Sequence, residues 1–233
     1  MNRICYVLIA WFLFSPLFVM GQRIIPSFSM GWGQYNMKEL KELQSTITSP
    51  VKLHSVNSFP PYFFFKGSIL IDIKKIMFGF SWGHYSTGAR DHYSDYSGEI
   101  SIKQLIHADV YSFPIYLKIN NEDRLVFSFM FEPGIMSTKY TIREDVRIFD
   151  QRSHDKFSDE LTTLSFQPGF KLTYSLKRWQ PSIDFGYFFD TKLLITSDYQ
   201  QFNINSVESD YSDFSGIRLS ISLAYKIGKD SSL

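Results

Sequence analysis

Cysteine is nearly absent from this 233-residue chain: the single thiol, Cys5, lies in the N-terminal apolar run. Everything after that run is therefore excluded from disulfide frameworks and thiol chemistry. An excess of charge of either sign is also missing, with 24 Lys and Arg against 23 Asp and Glu, so the chain carries no electrostatic footprint for nucleic acid. Past the N-terminus, no apolar run approaches the roughly 18 residues that mark a spanning helix.

The N-terminus begins Met1-Asn2-Arg3 and continues in an apolar run from Ile4 to Met20, interrupted by Ser15 and Pro16. A short basic start, an apolar middle and small residues at Val19 and Gly21 predict a secretory signal over residues 1–21, cleaved before Gln22. Cys5 falls too early in that run to serve as a lipoprotein anchor.

Aromatic residues make up 18% of the chain, with 23 Phe and 14 Tyr. They recur with a period of two. Ile217-Arg218-Leu219-Ser220-Ile221-Ser222-Leu223-Ala224-Tyr225-Lys226-Ile227 alternates large apolar with small or charged residues throughout, which a strand sustains when one face is oily and the other wet. Eight such segments are expected, near Ile25–Tyr35, Tyr62–Lys74, Lys75–Ser86, Gly98–Ile119, Leu125–Ile142, Leu161–Lys177, Ser182–Thr196 and Gly216–Gly228. Short polar turns at Lys74-Lys75, Asn120 to Asp123 and Arg178 to Pro181 alternate with long connections at Asn36–Pro61, Thr87–Ser97, Arg143–Glu160 and Ser197–Ser215.

That alternation predicts an all-β, antiparallel, up-and-down transmembrane barrel over residues 22–233, in the outer membrane, with both termini periplasmic. Eight strands are expected, or ten if Val51–Val56 pairs as well. The competing fold is a secreted sandwich. An eight-stranded interior is filled by side chains, so a diffusion pore is not expected.

By parity, the lipid face carries Ile76, Phe78, Phe80 and Trp82, then Leu125, Phe127, Phe129 and Phe131, with no charge between them. Opposite parity gives an interior holding Glu132, Lys171, Asp184, Asp190, Arg218 and Lys226. Buried charges must be paired, and near-equal index sums predict Asp184 with Lys226 and Asp190 with Arg218.

Several local patterns remain. Trp32-Gly33-Gln34-Tyr35 and Trp82-Gly83-His84-Tyr85 predict that Trp32, Tyr35, Trp82 and Tyr85 anchor at the membrane interface. Tyr93 to Gly98 resembles Tyr211 to Gly216 and reads as turn chemistry. Asp91, Asp95 and Glu99 form a weak metal candidate without calcium-loop spacing. Phe131-Glu132-Pro133-Gly134 and Phe166-Gln167-Pro168-Gly169 predict bulges. Asn36, with Glu39 three residues on and Leu40, Leu43 and Ile47 spaced before Pro50, predicts a short amphipathic helix in the first outer loop. His84, Ser86, Asp91, His92 and Ser94 are the one candidate catalytic set, since Ser, His and Asp together can build a nucleophile and base; no catalytic signature surrounds them, and an enzyme is not the expectation.

Phe59-Pro60-Pro61-Tyr62, Ser86-Thr87-Gly88-Ala89-Arg90 and Asp95-Tyr96-Ser97-Gly98-Glu99 resemble the small porin-like outer-membrane β-barrel proteins typical of Bacteroidetes. The resemblance implies a barrel built by the barrel-assembly machinery, mostly without assigned activity. The expected role is structural or surface-interacting, through long outer loops and as a monomer, with lipid, lipopolysaccharide and an extracellular ligand as partners. A lipid-modifying enzyme and a narrow channel are the alternatives, and no cofactor is expected.

Overall fold

The computed structural model describes residues 23–38, 41, 54–96, 98–120, 124–198 and 213–228. The predicted signal over residues 1–21 lies outside these, as does most of the predicted helix. Of the latter, Asn36, Met37, Lys38 and Lys41 are described, and the Lys41 amide donates to the Met37 carbonyl at 3.0 Å.

Ten strands form one antiparallel sheet: β1 (Arg23–Gly33), β2 (His54–Ser58), β3 (Tyr62–Ile73), β4 (Ile76–Ser94), β5 (Gly98–Ser112), β6 (Ile115–Lys118), β7 (Leu125–Ile148), β8 (Gln151–Tyr174), β9 (Trp179–Asp198) and β10 (Gly216–Tyr225). The ring closes because β1 pairs with both β3 and β10. β5 and β6 are successive pieces of one stave, each bonded to β4 on one side and to β7 on the other. The closed ring therefore has eight staves, and β2 is an added edge on the upper part of β4. The break between β5 and β6 falls at Phe113 and Pro114, where proline supplies no ladder donor. Neighbours bridge the gap: Phe113 donates its amide to the Pro133 carbonyl at 2.8 Å, and Gly79 donates to that of Pro114 at 3.1 Å.

Two expectations are corrected. The Pro-Gly pairs make no bulge between β7 and β8, whose register runs without a slip from Leu125↔Tyr174 to Ile148↔Gln151. Their glycines instead permit close approach, since a Cβ on Gly169 would lie 2.4 Å from the Phe185 carbonyl oxygen. The expected loops Thr87–Ser97 and Arg143–Glu160 are largely strand, and β7 and β8 continue as a hairpin to a turn at Phe149 and Asp150. Alternation stops there because above the apolar band both faces are wet, yet the ladder between β7 and β8 continues to Ile148↔Gln151.

The outer face carries Phe28, Met30 and Trp32 on β1, Phe80 and Trp82 on β4, and Leu125 to Ile135 at alternate positions on β7, all of them exposed but for Pro133. Eleven residues at about 3.3 Å each, tilted as barrel strands are, give a band close to the ~25 Å apolar height of a membrane barrel. Exposed apolar area on this scale is costly in water. In hydrocarbon it is the solvated surface, and the closed ring leaves no open edge.

The Trp-Gly-x-Tyr pairs acquire a different meaning. Trp32 and Trp82 face outward, but Tyr35 and Tyr85 are buried, at 4% and 3% exposure, because residues three apart on a strand lie on opposite faces. The expected interface role is corrected for both tyrosines. Each ring folds over the glycine two residues earlier: a Cβ on Gly33 would stand 2.9 Å from Tyr35 and one on Gly83 3.0 Å from Tyr85.

Candidate functional site

The interior fills in layers. Near the turn end, Ile25, Leu70, Met77, Tyr116, Met130 and Ala224 form an apolar cluster. Above it, Lys66 Nζ donates to Glu132 Oε2 at 2.8 Å, with both side chains 6% exposed; the hydroxyls of Ser81 and Ser112 donate to Oε1. Beside this set, Lys171 Nζ lies 3.1 Å from Asp184 Oδ1 and donates to Ser222 Oγ at 3.2 Å.

Higher still, Arg218 is 1% exposed. Its guanidinium carbon stands 3.5 Å from the centre of the Phe188 ring and 4.0 Å from that of Tyr85. Its three nitrogens have no hydrogen-bond partner among the described residues; the ring faces take that place, since a guanidinium stacks on aromatic quadrupoles. Tyr85 and Phe188 belong to a large apolar cluster that also contains Tyr35, Met136, Tyr140 and Phe214 and closes the loop end.

The predicted interior pairs are thus corrected. Asp184 is level with Ser220, and Arg218 with Gly186, so the β9–β10 register is offset by several residues from the one expected. Asp184 meets Lys171 across β8–β9, directly opposite it. Asp190 instead accepts a hydrogen bond from Thr163 at 3.0 Å, and Lys226 lines a cavity of about 200 Å³ at the turn end with Arg23, Lys74, Lys118 and Asp72. Lys66 is an interior charge that sequence reading missed, as is Asp91. The signal was present as a lone lysine among Phe63, Phe64, Phe65 and Ile69.

The candidate catalytic set is divided by the pleat. His84, Ser86 and His92 share the outward face of β4, whereas Asp91 points inward and is 1% exposed. The carboxylate that meets His84 is Asp109 of β5, with Nδ1 and Oδ1 3.0 Å apart. His107 stacks on His84 at 5.8 Å and is directly opposite Ser86. The Ser86 hydroxyl forms no hydrogen bond among the described residues. Ser94 ends β4, opposite Glu99.

The metal candidates also separate. Asp91 lies inside, Asp95 bonds the Gly98 amide and the Tyr93 hydroxyl, and Glu99 stands 3.7 Å from His92. On the hairpin, His154 lies against Asp145, and hydrogen bonding to His154 holds the Asp145 carboxyl below its ordinary value.

No protein-family model matches the chain, and no curated protein matches it. Among solved structures, the chain is similar to the attachment invasion locus protein Ail of Yersinia pestis, at 10% identity over 89% of this chain and 99% of that one, with a TM-score of 0.37. It is similar to the N-terminal β-barrel domain of Pseudomonas aeruginosa OprF, at 9% identity over 89% and 98%, with a TM-score of 0.38. It is also similar to the Escherichia coli outer-membrane protease OmpT, at 13% identity over 88% and 96%, with a TM-score of 0.37. The barrel assignment rests on this chain's own strand pairing.

Proposed function

We propose that the protein is an outer-membrane barrel with a closed interior that works through its outward and loop-end surfaces, with both ends of the chain in the periplasm. The observation that carries this reading is the layered filling of the lumen, above all the buried Arg218 held among Tyr85, Phe188 and Phe64. A conduit needs a continuous wet path; here two apolar clusters lie above and below the polar layer. The short turns fit the periplasmic side and the long β7–β8 hairpin the outside, as in bacterial outer-membrane barrels. Purified protein in planar bilayers is therefore expected to give no unitary conductance. Steady single-channel steps from the folded protein would overturn the closed-lumen reading.

One observation favours a second reading, ester hydrolysis on an outer-leaflet lipid. His84 and Asp109 form an oriented imidazole–carboxylate pair on the lipid-facing side, with Ser86 two residues away on the same face. In that reading an imidazole takes the Ser86 proton as its oxygen attacks the acyl carbonyl and returns it to the departing alkoxide; water, deprotonated by the same imidazole, then attacks the acyl-Ser86 ester, which releases the fatty acid and restores the Ser86 hydroxyl. Replacing His84 or Ser86 with Ala should abolish fatty-acid release from vesicles containing lipopolysaccharide, followed by mass spectrometry. Equal release by wild type and both variants would exclude it.

A further inference from the structure

Above the apolar band, the registers of four neighbouring strands place like charges side by side. Arg90 of β4 is opposite Lys103 of β5, Lys103 is opposite Arg143 of β7, and Arg143 is opposite Lys156 of β8. With strands about 4.8 Å apart, these four cations form a row roughly 14 Å long. Two residues beyond on each strand, the row contains a single carboxylate, Asp145, which lies 4.0 Å from Lys103 and also against His154. Another two residues on, Arg147 is opposite Arg152 on one side and Glu99 on the other. Arg90, Arg143 and Lys156 make no ion pair among the described residues. Like charges directly opposite each other destabilise a sheet, so the row opposes folding unless something anionic lies over it.

The face on which the row lies identifies the occupant. Arg90 has the outward parity of Ile76, Phe78, Phe80 and Trp82 on the same strand, while its neighbours Ala89 and Asp91 are buried. Following that face down the other three strands leads to Tyr111, Ile135 and Leu164, all exposed in the apolar band. The row thus shares the outward face of a lipid-contacting surface and stands above it, beyond the His84–Asp109 and Lys139–Glu160 pairs. Eight residues separate Arg90 from Trp82, roughly 20 Å of height at the tilt of a barrel strand. A glycolipid with its acyl chains against the band carries its phosphorylated sugars to that height along this same face.

We infer that the outward face of β4, β5, β7 and β8 binds the phosphorylated headgroup of an outer-leaflet glycolipid of the lipopolysaccharide class, through Arg90, Lys103, Arg143 and Lys156. This rests on the membrane orientation proposed above. Arginine suits the role because its planar fork meets phosphate oxygens in pairs.

The test uses the full chain reconstituted in vesicles. Insertion is read by flotation and folding by heat-modifiable migration, and binding of phosphorylated rough lipopolysaccharide is titrated across a salt series. Arg90→Gln with Arg143→Gln should weaken binding at least tenfold and flatten its salt dependence. Chemically dephosphorylated lipopolysaccharide should bind wild type no better than the native form binds that variant. Lys139→Gln, which removes a cation on the same face already paired with Glu160 at 2.6 Å, should leave affinity within twofold. Equal affinities for wild type and the double variant, indifference to phosphate, or tighter binding of dextran sulfate than of lipopolysaccharide would overturn the inference. Failure of wild type to float would instead sink the membrane placement, and this inference with it.

Discussion

Replacing Glu132 with Ala is expected to destabilise the folded barrel by about 3–5 kcal/mol, the cost of leaving one member of a buried ion pair without its partner. Glu132 is the acceptor for three donors at once: Lys66 at 2.8 Å and Ser81 at 2.7 Å, with Ser112 beside them. Without the carboxylate, an ammonium and two hydroxyls stay in the interior, and the eight-stave ring has no room to relax them toward water. The double replacement Lys66→Met with Glu132→Leu should recover much of the loss, because it removes the charge together with its counter-charge. Urea titrations of folded protein in vesicles, followed by tryptophan fluorescence, measure both. A single variant within about 1 kcal/mol of wild type, or a double variant less stable than the single, would contradict the buried pair.

Phe129→Arg should cost about 2–4 kcal/mol, and the same change at Ser137 only about 0–1 kcal/mol. Both positions face outward on β7, eight residues apart. Phe129 sits mid-band, opposite Leu117 and Phe170, where a charge meets hydrocarbon; Ser137 lies above Ile135, where it meets water and headgroups. The depth dependence is the informative quantity, obtained from folding equilibria in vesicles. In a water-soluble sandwich the two exposed positions would tolerate arginine about equally. Equal costs would therefore remove the membrane band.

The eight staves that were expected, the tight turn at Lys74 and Lys75 and the alternation of the two faces were legible from residue type alone. Leu125, Phe127, Phe129 and Phe131 are all outward and exposed, while Ser128 and Glu132 are buried, as parity required. Two kinds of feature were not legible. Where the apolar band ends, β4, β7 and β8 continue as strands through polar sequence, and a polar strand with both faces wet has the composition of a loop. Partner choice was the other. Asp184 and Lys226 were matched by index sum, but the stagger between β9 and β10 sets Asp184 beside Ser220, and the β8 side supplies Lys171.

The candidate site shows the same division. His84 and Ser86 were visible as outward residues of one strand, but their carboxylate was sought in the next few residues, at Asp91. Parity turns Asp91 into the interior, and the pairing of β4 with β5 brings Asp109 from 25 residues away.

What the sequence determined by itself is the inside and outside of staves such as Ile76–Trp82 and Leu125–Phe131, because side-chain alternation is a local property of an extended backbone. It also led to the expectation of a closed ring, because an oily outer face with an open edge has no stable solvent in a membrane, and the pairing of β1 with both β3 and β10 closes it. The tertiary structure alone decided which residues stand level with each other around that ring. That includes the burial of Arg218 among three aromatic rings and the alignment of Arg90, Lys103, Arg143 and Lys156. Level is fixed by the cumulative stagger of neighbouring strands, a quantity that belongs to the closed barrel and to no single segment of it.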